Sequence, residues 1–364
     1  MNLPLTIAIA LAASIGTTHS VQYDQENEIR QLGTVLVTGV KPGPGMWRVS
    51  NGSHVMWLLG TVSPLSKKLE WQSTEVSAVL ESANAIIAPP GAEADISAGD
   101  VVKMAMLARS ANKATKLPGR QTLEAVLPAD TYAQWTRLTE KYSFNSPKSE
   151  RLRPVFAAQD FYYGAIDHAG FTRSNVIWNT IRNSAVERNL PIIETKIRYP
   201  LEIDSNKYKA GIQSLSSSTM GDVACFDETM NNIDKMIEDF SKISNSWAVG
   251  DVEELERSKF SEINSPCKSY YDSVMGFQQR ESLASEQDSS WIAVAERALS
   301  SHAVTIAVLP LYDMLKPGGY LEVLRSKGYL VQSPDDAQEN DGDESVDFHG
   351  KLTQGFHPIL SHPI

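Results

Sequence analysis

The alternation of short apolar runs with long stretches of helical period constrains this chain more than any other feature. "VMWLLGT" (from Val55), "LPIIET" (Leu190–Thr195) and "AVTIAVLPL" (Ala303–Leu311) have strand length and read as buried strands. Between them the apolar residues recur every three or four positions, as in "DTYAQWTRLTEKY", where Tyr132, Trp135 and Leu138 share a helical face. "NVIWNTIRNSAVERN" repeats the pattern with Val176, Ile177, Ile181 and Val186. Strands separated by helical stretches this long indicate an α/β domain with a large helical insertion.

Finer punctuation fixes the elements. "MWRVSNGSHVMWLLGTVSP" reads as a β-hairpin, Met46–Val49 and Val55–Leu59, turning through Ser50–Ser53. A possible strand, Thr34–Val40, precedes it, with the turn "KPGPG" (Lys41–Gly45) between. "WQSTEVSAVLESANAIIAPP" is an amphipathic helix followed by a brief apolar run at Ile86–Ala88, stopped by Pro89 and Pro90. "CFDETMNNIDKMIEDFSK" places Phe226, Met230, Ile233, Ile237 and Phe240 on one face. A second helix restarts in "SWAVGDVEELERSKFSEI", with Asp251 and Glu254 spaced as a capping box. "GGYLEVLRSKGYLV" reads as helix, turn and strand.

The first twenty residues carry no charged side chain, and an apolar run from Leu3 to Ile15 leads into small and polar residues. That pattern predicts a secretory signal peptide, with an uncleaved anchor as the alternative. No later segment reaches the roughly 18 apolar residues of a membrane helix. The expectation is a periplasmic or secreted protein with no transmembrane segment after cleavage. In an exported chain two cysteines, Cys225 and Cys267, suggest a disulfide closing a helical hairpin at about 225–276; two unpaired buried thiols are the alternative. Residues 21–44 read as an N-terminal extension. From Asp335 to Asp347 the chain carries seven acidic residues and no basic one, so 333–364 reads as an acidic, disordered tail. With a net charge of −11 and no basic block, nucleic acid and anionic membrane are poor partners.

Several of these segments, in order, resemble the TraB/GumN family, relatives of the Tiki-type metalloproteases. The hairpin ending in Gly60-Thr61 resembles the family's opening, and "IET" (Ile193–Thr195) its Leu-Glu-Thr. "SWAVGDVEEL" resembles its Trp-x-x-Gly-Asp helix start, and "GGYLEVLRSKGYLV" its closing signature. The resemblance spans residues 45–332 and implies a central mixed sheet with flanking helices. It also implies a metal site, and there this chain departs from the pattern. Where the family has Gly-x-x-His, this chain has Gly60-Thr61-Val62-Ser63. Pro89 stands at the position of a strand-ending glutamate, and Gln287-Asp288 replaces an Arg-Asn before Trp291. The second Gly-x-x-His becomes Pro310-Leu311-Tyr312-Asp313. Of the polar positions carried over, Glu194 alone keeps the family's residue type.

A metal-activated hydrolase needs about three protein ligands and a base in reach. The resemblance therefore implies a catalytically inactive relative that needs no cofactor and binds or regulates a peptide, an envelope protein or a glycan. The alternative is a hydrolase with a rebuilt oxygen-ligand site for a hard divalent ion around Glu194 and Asp313, with Ser63 or Asp288 as a weak third ligand. Trp47, Trp57 and Trp71 are candidates either for core packing or for a groove that stacks on a peptide or sugar. His54, in the hairpin turn, is expected to be exposed; His168 and His302 fall near helix ends. His349, His357 and His362 are too widely spaced for a compact metal motif.

Overall fold

A computed structural model describes residues 43–69, 71, 74–201, 203–206, 209–210, 220–258, 279–334 and 336. Expectations for the signal segment, Thr34–Val40, Cys267 and most of the acidic tail lie outside these residues.

The hairpin forms as the alternation predicts. β1 (Met46–Asn51) pairs antiparallel with β2 (His54–Thr61) through a tight turn, where Gly52 takes a φ of 60°. After a short strand β3 (Leu65–Ser66) comes helix α1 (Thr74–Ser82), burying Val76, Val79 and Leu80. The apolar run behind it is a strand of its own, β4 (Ala85–Ile87), fully buried. β5 (Ala92–Asp95) leads into the insertion: α2 (Ala98–Ala114), α3 (Leu123–Val126), α4 (Ala129–Lys141), α5 (Pro154–His168), β6 (Phe171–Thr172) and α6 (Val176–Glu187). β7 (Ile192–Ile193) and β8 (Ile197–Pro200) follow. Next come α7 (Met220–Val249) and α8 (Val252–Arg257), then α9 (Gln279–Ser301), β9 (Val304–Pro310), α10 (Leu311–Leu315), α11 (Tyr320–Ser326) and β10 (Leu330–Gln332).

The main sheet has six strands in the order β10-β1-β2-β9-β4-β7. β1 runs antiparallel to both neighbours, whereas β2, β9, β4 and β7 are mutually parallel. The sheet is therefore mixed, and its parallel half carries the near-continuous apolar runs of strands buried on both faces. β9, late in the chain, inserts between β2 and β4 and brings the carboxyl ends of three sequence-distant strands side by side.

Two apolar cores flank this frame. One joins the sheet to α1, α6, α9, α10 and α11. The other is built from α4, α5 and the predicted face of α7, with Phe226, Met230, Ile233 and Phe240 buried and Ile237 at its edge. Trp135 sits at its centre, in edge or tilted contact with Phe144, Phe161 and Phe226. α7 continues into the first core through Ile243, Trp247 and Ala248, so one helix stitches the insertion to the sheet.

Some expectations are corrected. In α6, Ile177, Ile181 and Ala185 face the core, four residues apart; Val176 and Val186 lie about 100° to either side and are exposed. His54 is half-buried, with Nδ1 2.6 Å from the Leu299 carbonyl of α9. Half of the capping box at Asp251 forms: Asp251 accepts from the Glu254 amide at 2.9 Å, while the Glu254 carboxylate turns to Arg257.

Candidate functional site

In an open sheet of parallel strands, ligands are held in the crevice beyond the carboxyl ends. The residues that brace those ends are the ones the sequence motifs single out. Gly60 lies where α10 packs closest: a Cβ there would meet Leu311 Cδ1 at 2.6 Å. Trp247 Nε1 donates to the Gly60 carbonyl at 2.8 Å, and Thr61 Oγ1 donates to the Leu309 carbonyl at 3.2 Å. Beyond β4, Trp291 Nε1 donates to the Ala88 carbonyl at 3.1 Å, and the buried Thr195 hydroxyl donates to the Pro89 carbonyl at 2.7 Å. Gly250, φ 74°, lets the chain turn beside Gly43 before Asp251 caps α8. Motif residues that keep the family's type thus hold strand ends in place.

Three residues that depart from the pattern, Ser63, Pro89 and Pro310, line a hollow of about 190 Å³ beyond β2, β4 and β9. Ser63, Pro89, Pro90 and Pro310 form its rim from the strand side, with Val62, Leu65 and Val308. The start of α6 closes it through Ser174, Asn175, Ile177 and Trp178. Among the described residues no charged side chain lines this hollow. Its polar groups are the hydroxyls of Thr61, Ser63 and Ser174 and the amide of Asn175. Such a lining suits an apolar group with a few oriented hydrogen bonds.

Asp288 and Asp313 lie elsewhere, in a small hollow of about 30 Å³ beside Gly318, Gly319 and Tyr320. Asp288 accepts a hydrogen bond from the Tyr320 hydroxyl, and Lys316 Nζ lies 2.8 Å from Asp313. Burial, reinforced by Asp288, pushes the Tyr320 phenol above its ordinary pKa. Burial disfavours the charged form of Lys316, but Asp313 outweighs it and raises the ammonium's pKa. Gln287 is half-buried on α9 and lines neither hollow. Glu194 is exposed just past β7, two strands away from β9, and lines neither hollow either.

The implied divalent ion does not fit this donor set. Ser63 offers a neutral hydroxyl, Pro89 and Pro310 offer no side-chain ligand atom, and the carboxylates of Asp288 and Asp313 are committed to Tyr320 and Lys316. Among the described residues no three His, Cys, Asp or Glu side chains converge as ligands would.

The three tryptophans do not meet in one groove. Trp47 pairs with Leu58 and Trp57 with Arg48, so their side chains point to opposite faces of the sheet. Trp47 is buried in the core. Trp57 and Trp71 pack half-buried against the same core, Trp71 with its ring 5.4 Å from that of Trp247. Sequence reasoning passes over Ser174, Asn175 and Trp178, the residues that complete the hollow. "SNVIW" reads only as a helix start, and nothing local shows that α6 begins against strand ends more than 80 residues away.

Cys225 is buried on α7 within a small apolar cluster containing Val155.

Among known proteins, no curated sequence and no solved structure matches this chain. A family model does match, the TraB/PrgY/gumN family, over residues 45–333, from the first strand of the hairpin to just beyond the last strand. The chain belongs to the TraB/PrgY/gumN family.

Proposed function

We propose that this chain is a binding module that has given up hydrolysis, and that its hollow beyond β2, β4 and β9 seats an apolar side chain of a peptide or of an envelope protein segment. One observation carries the reading: positions where the family resemblance implies metal ligands hold Ser63 and Pro89, and the space they border is mainly apolar, with no charged side chain among the described residues. The retained motif residues support it, because Gly60, Trp247, Trp291 and Thr195 serve the frame around the hollow. A glycan is a poorer match, since the lining offers few hydroxyl partners and no carboxylate. The uncharged N-terminal stretch supports export to the periplasm or beyond, where the module acts on its partner by binding or regulation without a cofactor. In that compartment Cys225 and Cys267 pair.

The alternative hydrolase around Glu194 and Asp313 has less support, because Asp313 lines the small hollow beside Tyr320 while Glu194 lines neither that hollow nor the one beyond β2, β4 and β9. The test is digestion of fluorescein-labelled casein by the mature protein, with and without added magnesium, calcium, manganese or zinc. The expected result is no release above the buffer blank under any condition. Ion-dependent release that disappears in Glu194→Gln or Asp313→Asn overturns the proposal.

A further inference from the structure

The apolar hollow does not end at Ser174. The same residue lines a second, more open hollow of about 540 Å³, between the end of α5 and the β6–α6 connection. Its lining includes Tyr163, Asp167, Thr172 and Arg173. The Arg173 guanidinium lies over the Tyr163 ring, its central carbon 3.7 Å from the ring centroid. A cation–π contact of this kind holds the guanidinium over the ring, and its N–H donors suit a planar anion such as a carboxylate. The Asp167 carboxylate in the same hollow has its own cation: Lys67 Nζ lies 2.6 Å from it. Among the described residues no carboxylate lies within ion-pair distance of Arg173. An arginine held over a ring beside the hollow, with no carboxylate partner among the described residues, selects locally for an anion.

Resting on the proposed binding function, we infer that the recognised segment is acidic: an Asp or Glu side chain meets Arg173 while an apolar side chain one or two residues away fills the proline-rimmed hollow. The two hollows share Ser174 as a common wall, so an extended peptide, advancing about 3.3 Å per residue, reaches both with neighbouring side chains. A carboxylate accepts two parallel hydrogen bonds from a guanidinium held in this way, which an amide side chain of the same shape cannot do. The second hollow is open, so the acidic residue sits within a continuing segment and not at a chain terminus.

The test uses the mature protein and a pooled library of C-terminally amidated octapeptides, Leu fixed at the fourth position and all others randomised. Retained peptides are sequenced by mass spectrometry. Asp and Glu are expected to be enriched about tenfold over Asn and Gln at one or two positions flanking Leu. With the exposed Arg173→Gln variant the enrichment is expected to vanish while retention of Leu-containing peptides persists. Retention without acidic preference, or a preference unchanged in Arg173→Gln, overturns this inference and leaves the binding function standing. Retention of no peptide at all removes the binding function itself, and this inference with it. A parallel library with free C-termini that shows preference for the terminal carboxylate alone also overturns it.

Discussion

At the scale of single residues, the motif positions divide by direction. Gly60, Thr195, Trp247 and Trp291 point their hydrogen bonds or their lack of a side chain at the frame; Ser63, Pro89 and Pro310 border open space. Gly60 shows how tight the frame is. Adding one methyl group there meets Leu311 at three atoms, 2.6, 3.2 and 3.4 Å away, in a buried position flanked by Trp247. Overpacking of this kind costs about 1–3 kcal/mol. Gly60→Ala is therefore expected to lower the unfolding free energy by that amount, read as a lower urea midpoint at an unchanged m-value; an unaltered midpoint contradicts the close approach of α10 to β2. The frame residues were legible in the sequence because short motifs mark them. Arg173 and Trp178 were not, because an arginine in a loop and a tryptophan near a helix start look ordinary until α5, α6 and the strand ends are assembled.

At the scale of elements, apolar period was a sound guide where one face is buried deeply, as in α4 and α7. It failed in α6, where a half-turn at either end adds apolar residues that the core does not reach. The short strands β4 and β7 were harder to bound, since two or three residues hold too little pattern and only pairing with β9 and with each other defines them. α2 exposes Val101, Val102, Met104 and Met106, and its start is held chiefly by polar contacts. Asp100 accepts from the Ser97 hydroxyl, from Lys103 Nζ at 2.9 Å and from the Ile203 amide at 3.2 Å, tying α2 to the chain beyond β8. These bonds, with Ser97 first and Lys103 next, hold its carboxyl at about 2, below the ordinary 3.8. A depressed carboxyl stabilises the fold above the unfolded value and loses that contribution as pH falls toward the folded one. The melting temperature of Asp100→Asn is thus expected to lie below the parent's at pH 6, with the gap closing between about pH 4 and pH 2. A gap that stays constant over that range contradicts the assignment.

At the scale of the whole molecule, strand–helix alternation was enough to read an α/β fold with a helical insertion, and the ordered motifs were enough to read the family. Neither reveals that α7 serves both cores, nor that the late strand β9 enters the middle of the sheet and gathers the site. Pairing of Cys225 with Cys267 would close a long loop at the base of α7. The chain-entropy model puts its contribution at about 4 kcal/mol, so reduction is expected to lower the unfolding free energy by that amount; an unchanged value contradicts the bridge. The central claim is that the hollow beyond β2, β4 and β9 binds a peptide segment and leaves it intact. The most direct measurement incubates the mature protein with the amidated octapeptide library and divalent ions, then sequences both the retained and the free fractions. The account predicts a retained set of full-length peptides that is lost in Ser174→Trp, where a large side chain blocks the wall shared by both hollows, and no cleavage products in either fraction. Cleaved peptides, or a retained set indifferent to Ser174→Trp, would contradict it.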